Sequence, residues 1–443
     1  MFGTDGVRGT PGRAPLDAQT IARLGAATAR VLARGAGGAR LLAVRDTRES
    51  GPWIEEQLAR GVTDQGGTLV TAGVLPTPAA AALLAASDIF DGALVISASH
   101  NPFPDNGIKV LARDGEKASP RLEGELEGIV ADGSWQVSVD AEVTIESRDF
   151  SGDYCAFAAC VLAGCETQRR MRLAADCANG AMSDVAPRVL RDLGFDVVTL
   201  NVEPDGRNIN EGCGSTHPEG LAHAVVAESC ELGLAFDGDG DRVILVDGQG
   251  RVVDGDAMLF ICASFLRSRD RLPGNAIVAT VMSNIGLEVA LRAAGVDVHR
   301  CAVGDRQVRD AMVDHGIVLG GEQSGHLIFS ELLPTGDGLL TALSVIRVLL
   351  ETGQNLVSLR EGLEIYPQVL VNVVVRTKPD LVSEPKILQA IEEAERVLGA
   401  EGRVLVRYSG TEPLLRVMIE GREQATVQQL ADSIADCART RLS

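Results

Sequence analysis

Short apolar runs recur along this chain, each ending in a polar turn and then giving way to helical periodicity. Residues 41–44, 68–70 and 93–96 are such runs, and residues 173–175, 197–200 and 232–236 repeat the pattern. A third array has runs at 276–281 and 296–301 and helical patterns at 256–267 and 285–294. Strands alternating with helices predict an α/β protein with mixed sheets, the sheet of the first array being mostly parallel. In open sheets of this kind ligands gather beyond the carboxyl ends of the strands, so the polar turns are where chemistry is expected. Polar, weakly patterned sequence at 114–149 suggests a first boundary. From about residue 366 the order changes to strand, helix, two strands and a closing helix, a smaller α+β unit.

The charge narrows what such a protein can bind. A formal charge of −20 over 443 residues repels nucleic acid and anionic membrane surfaces, so any phosphate must be held in a local basic pocket. Lysine occurs only at Lys109, Lys117, Lys378 and Lys386, which makes a lysine inside a candidate turn conspicuous. Nine cysteines without CxxC spacing read as small apolar residues, with Cys155, Cys160 and Cys165 on one expected helix. No apolar run is long enough to span a bilayer, and no basic-then-apolar leader is visible, so a soluble cytoplasmic protein is expected.

Five turns carry candidate chemistry. Residues 2–9 set Asp5 and Arg8 among glycines, which predicts a flexible turn with exposed amides. The run at 93–96 delivers Ser97, Ser99 and His100, and Lys109 follows on the next short strand. That grouping suits a serine that gives or takes an anionic group, and it equally suits a turn capped by its own hydroxyls. Asp237, Asp239 and Asp241 alternate with glycines ahead of Arg242. If extended, they would project alike and repel by roughly 3 kcal/mol per pair at about 5 Å, a cost that a divalent cation removes. All-oxygen ligands favour Mg²⁺, Mn²⁺ or Ca²⁺; an EF-hand is excluded by Arg242 and Gly248 at its glycine and glutamate positions. A solvated acidic turn is the alternative.

The remaining two turns suit a sugar phosphate. After a strand at 317–319, Glu322 and Ser324 can bond hydroxyls, and His326 can pass protons or be merely structural. Arg407, Ser409, Gly410, Thr411 and Arg416 place guanidinium forks, hydroxyls and amides around one point, a phosphate cradle or a plain hairpin turn. One reaction uses all of these groups: phosphoryl transfer on a phosphosugar through a phosphoserine. A serine hydrolase fits less well, because Ser99 lacks the GxSxG elbow. The GAGG at 35–38 follows a helix rather than a strand and is not a dinucleotide loop.

The chain resembles the α-D-phosphohexomutase family over essentially its whole length. FGTDGVRG at 2–9, ISASHNP at 96–102, DGDGDR at 237–242, GEQSGH at 321–326 and SGTEP at 409–413 stand in the family's order. Gln323 and CGSTHPE at 213–219 resemble its amino-sugar branch, whereas Gln307 and Tyr408 depart from the usual pattern. The resemblance implies a heart-shaped architecture of three related mixed-sheet α/β domains and a smaller α+β C-terminal domain, placed here at 1–148, 149–248, 249–363 and 364–443. It implies that Ser99 is phosphorylated, with one Mg²⁺ held by that phosphate and by Asp237, Asp239 and Asp241. Arg8, Lys109 and Arg242 would neutralise the moving group beside His100, and His326 or Lys109 would move protons. Glu322 and Ser324 would hold the sugar, and Arg407, Ser409, Gly410, Thr411 and Arg416 the second phosphate. The implied activity is interconversion of glucosamine 6-phosphate and glucosamine 1-phosphate for cell-wall precursors, in a family where homodimers are frequent. Glucose or mannose phosphates are the alternative substrates, and a catalytically silent sugar-phosphate sensor is the alternative of another class.

Overall fold

The computed structural model describes residues 1–3, 5–35, 37–138, 143–165, 171–409 and 413–442. They form two compact units, residues 1–281 with 299–360 and residues 282–298 with 361–443.

The first unit holds three sheets. One contains β1 (Val7–Gly9), β2 (Arg40–Arg45), β3 (Thr68–Val74), β4 (Gly92–Ile96), β5 (Asn106–Ala112) and β6 (Ile145–Ser147), in the order β1-β5-β4-β2-β3-β6. Every residue of β4 is buried, as its unbroken apolar run requires. The helices Ala18–Leu32 and Gly51–Asp64 lie against each other at backbone contact. A Cβ on Gly61 would fall 1.8 Å from the Ala22 carbonyl oxygen, so only glycine allows this approach.

The second sheet contains β7 (Arg172–Asp176), β8 (Asp196–Leu200), β9 (Leu232–Phe236), β10 (Val243–Asp247) and β11 (Val252–Val253), ordered β11-β10-β9-β7-β8. Its pairs are two parallel and two antiparallel, whereas three of the first sheet's five pairs are parallel, as expected for that array. The third contains β12 (Ala276–Thr280), β13 (Asp297–Cys301), β14 (Leu319–Gly321) and β15 (Leu327–Phe329), ordered β13-β12-β14-β15. The antiparallel pairs β4–β5, β9–β10 and β14–β15 have a shared use. Each is joined by one of the candidate turns, so the same reversal at a strand's end is used once per sheet.

In the second unit, β16 (Gln368–Val374), β17 (Arg403–Tyr408) and β18 (Leu414–Glu420) form an antiparallel sheet in the order β16-β18-β17. Val373, Leu415, Val417 and Ile419 pack with Ile387 of helix Pro385–Leu398 and Ile434 of helix Gln424–Leu442.

Three local expectations need correction. The weakly patterned stretch contains the helix Pro120–Ala131, capped by Ser119 and anchored by Leu126 and Val130, buried one turn apart. The opening turn is a strand from Val7 to Gly9, because β5 supplies its hydrogen-bonding edge. The helix read through Cys155, Cys160 and Cys165 ends at Ala159, and only Cys155 of the three is buried.

Candidate active site

The turn after β4 is built by its main chain. Ser99 has φ of 51°, in the left-handed region that a non-glycine residue occupies only under constraint. Its amide donates to Ser97 Oγ at 2.9 Å, and Ser97 Oγ donates to Asp46 Oδ2 at 2.6 Å. Ser99 Oγ, buried, donates to Asp237 Oδ2 at 2.5 Å and lies 3.4 Å from His100 Nδ1. Burial, helped by Arg242 and Arg8, pushes His100 below the usual histidine range, so its imidazole favours the neutral form.

The acidic turn is not extended. The Gly240 amide bonds the Asp237 carbonyl at 3.1 Å and Gly240 has φ of 73°, so the chain folds back between β9 and β10. This tight turn brings carboxylate oxygens of Asp237, Asp239 and Asp241 within 4.8 Å of one another, all three buried. Burial and the neighbouring charges of Asp241 and Asp239 push Asp237 well above the carboxylate range. Asp239 Oδ1 and Asp241 Oδ1 are buried without hydrogen-bond partners, the condition of ligands prepared for a cation. Thr77 Oγ1 orients Asp239 at 2.6 Å.

Lys109 Nζ lies 3.2 Å from Asp239, 3.2 Å from Asp5 and 3.7 Å from Asp241. Burial favours the neutral amine, but the charges of Asp239, Asp5 and Asp241 outweigh it and hold the ammonium well above the usual lysine range. Lys109 is thus a fixed cation. Asp5, opposed by burial but surrounded by Lys109, Lys117 and Arg8, stays far below its ordinary value.

A cleft of about 390 Å³ gathers residues from all three sheets' turns, including Arg8, His100, Asp241, Arg242, Glu322 and His326. Glu322 Oε1 accepts from the Gly304 amide at 3.1 Å, and Arg242 Nη1 lies 3.3 Å from His100 Nδ1. His326 is 1 % exposed, and neither ring nitrogen has a hydrogen-bond partner among the described residues. Ser324 is exposed on the same turn and does not line the cleft. In the second unit Arg407 and Arg416 stand opposite each other across β17 and β18, and Ser409 follows at the strand end with its amide on the Leu414 carbonyl. Gly410 and Thr411 lie outside the described residues.

Asp46, Arg48 and Asn210, which hold the serine turn, carried no role in the sequence reading. The available signal was an Asp-x-Arg at the carboxyl end of β2, the parallel neighbour of β4.

Models of the phosphoglucomutase/phosphomannomutase family match the chain four times: α/β/α domain I at residues 1–137, domain II at 153–250, domain III at 254–366 and the C-terminal domain at 370–437. The chain belongs to this family. Its relatives include the phosphoglucosamine mutase of Desulforudis audaxviator, 46% identical over 98% of this chain and 96% of that one. That of Myxococcus xanthus is 45% identical over 100% and 97%. Within the family the chain stands with these phosphoglucosamine mutases, phosphotransferases that work as isomerases. Among solved structures, a phosphoglucomutase/phosphomannomutase family protein from Burkholderia thailandensis has a TM-score of 0.81 at 25% identity, covering 99% of this chain and 97% of its own. The N-acetylphosphoglucosamine mutase of Aspergillus fumigatus, solved with GlcNAc-6P and magnesium, shares the fold at a TM-score of 0.67 and 17% identity, covering 100% and 96%. No described helix is long and apolar enough to cross a membrane.

Proposed function

We propose that this enzyme interconverts glucosamine 6-phosphate and glucosamine 1-phosphate through a phosphate ester on Ser99. The observation that carries the reading is Ser99 Oγ 2.5 Å from Asp237, beside one buried oxygen each of Asp239 and Asp241 that has no hydrogen-bond partner. In the forward direction the Ser99 phosphoryl group passes to the sugar O1. The new P–O1 bond forms as the Oγ–P bond breaks, and the O1 proton moves to His326. The bisphosphate turns over in the cleft, Ser99 Oγ takes back the phosphoryl group as the P–O6 bond breaks, and His326 returns its proton to O6, releasing the 1-phosphate. His326 suits the proton step because it lines the cleft with free ring nitrogens, whereas Lys109 is locked among carboxylates.

Asp237, Asp239 and Asp241 would hold one Mg²⁺ together with an oxygen of the Ser99 phosphate, and that ion would offset charge on the moving phosphoryl group. Arg8 and Arg242 flank the same cleft as further cations, and Glu322 faces it as the acceptor for sugar hydroxyls. Arg407 and Arg416, with Ser409, Gly410 and Thr411, would hold the second phosphate. Their facing register positions suit one dianion held by two guanidinium forks. The exposed Ser324 would join the sugar only as substrate seats. The domains follow residues 1–148, 149–248, 249–363 and 364–443. The same reading takes the enzyme to be cytoplasmic and dimeric, as is frequent in this family; sedimentation equilibrium tests the dimer.

The test compares product formation from glucosamine, glucose and mannose 6-phosphates, with Mg²⁺ and with chelator. Preference for the amino sugar, lost on chelation, is the expected result. Better use of glucose or mannose would overturn the substrate, and chelator-resistant turnover would overturn the metal.

A further inference from the structure

Arg48 is the bulkiest fully buried side chain among the described residues. A guanidinium has five N–H groups, and burying it is costly unless each finds an acceptor. Here each does. Nε donates to Asp46 Oδ2 at 2.8 Å, Nη1 to the carbonyls of Pro102 at 2.6 Å and Asp105 at 3.0 Å, and Nη2 to those of Ser99 at 2.9 Å and Asn101 at 2.8 Å. Four of the five acceptors belong to one turn, the turn that carries the reactive serine. The chain wraps this cation with its carbonyls inward.

The same network fixes both peptide groups of Ser99. On one side its amide bonds Ser97 Oγ, which bonds Asp46, the partner of Arg48. On the other its carbonyl accepts from Arg48 and also from Asn210 Nδ2 at 2.9 Å, an arm from the second sheet's domain. The left-handed backbone at Ser99 is unfavourable for a residue with a Cβ and persists only where its surroundings over-determine it. With both flanking peptides held, the Cβ direction is set, and Oγ is aimed at Asp237 before any ligand arrives.

We propose that Arg48, oriented by Asp46 and seconded by Asn210, is the positioning residue that pre-organises Ser99 for phosphoryl transfer. It acts through the main chain alone, since its side chain has no exposed surface. This rests on the reading of Ser99 as the phosphoryl carrier.

The test uses the full chain with Arg48→Lys and Asn210→Ala. Ser99 phosphorylation from glucosamine 1,6-bisphosphate is followed by intact mass, beside steady-state kinetics and thermal unfolding. A lysine keeps the charge but cannot reach four carbonyls. Arg48→Lys should slow Ser99 phosphorylation and kcat together by about 100-fold, the scale of a misplacement of about 1 Å, with KM for glucosamine 6-phosphate nearly unchanged. Asn210→Ala, which leaves the Arg48 cluster intact, should lower both by about tenfold. Should Arg48→Lys fail to fold, Asn210→Ala decides alone. Phosphorylation at the wild-type rate in Asn210→Ala, or losses confined to KM, would overturn the proposal. Wild-type protein that takes no phosphate onto Ser99 would instead overturn the reading on which it rests.

Discussion

Ser99 Oγ donates to Asp237 Oδ2 at 2.5 Å across 138 positions of sequence. The bond joins the turn after β4 to the turn after β9, so the nucleophile candidate and the acidic cluster form one site. Burial and its acidic neighbours push the Asp237 carboxyl well above the usual range, toward the protonated form. A cation placed among the three carboxylates reverses that pressure.

Metal should therefore stabilise the fold. Mg²⁺ at about 100 times its Kd should add about 2.7 kcal/mol and raise the unfolding temperature by several degrees. Asp241→Asn should abolish that rise, yet in chelator it should be no less stable than wild type, because one repelling charge has gone. Unfolding curves with Mg²⁺ and with chelator read both effects; a wild type indifferent to Mg²⁺ contradicts the site.

His326→Gln should lower kcat by about 10²–10³ with little change in KM, as expected for loss of a general acid or base. A variant that keeps the wild-type kcat would move the proton step to another group.

Asp337 adds a pH dependence of its own. Burial raises its carboxyl to about 7, although the amides of Leu339 and Leu340 and the hydroxyl of Tyr154 favour the ionised form. Its folded value lies above the unfolded one, so the native state binds the extra proton between about pH 4 and 7. Its contribution to stability is present at the acid end of that window and is lost as the pH rises through 7. Asp337→Asn, which keeps the helix cap, should thus gain on wild type in denaturant titrations as the pH rises from about 4 to about 7. A constant difference across that range would show that Asp337 does not titrate there.

Arg407→Ala and Arg416→Ala should each raise KM by about 10- to 100-fold, as loss of a charge-assisted contact to phosphate implies, with kcat less affected. Sugar-phosphate titration calorimetry checks this directly, and unchanged affinity in both variants would exclude the cradle.

Much of this was legible in the chain. Apolar runs located the strands because buried strands need them, and the candidate turns at Ser99, Asp237 and Glu322 fall at strand ends where ligands collect in such sheets. What escaped is long-range. Arg48 reads as one more arginine after a strand, and only the pairing of β2 with β4 turns it toward the serine turn. From local sequence Lys109 suits either a cation for the moving group or a proton carrier, and the carboxylates around it come from Asp5, far away in sequence, as well as Asp239 and Asp241. Alternate carboxylates would project alike only in an extended segment; the convergence of the acidic turn comes instead from the reversal at Gly240, which local spacing does not encode.

The most direct measurement is the fate of Ser99. Wild-type enzyme should carry a phosphate on that residue and turn over glucosamine 6-phosphate. Ser99→Ala should still bind the sugar phosphate in calorimetry but show no turnover. Normal turnover by Ser99→Ala would contradict the account at its centre.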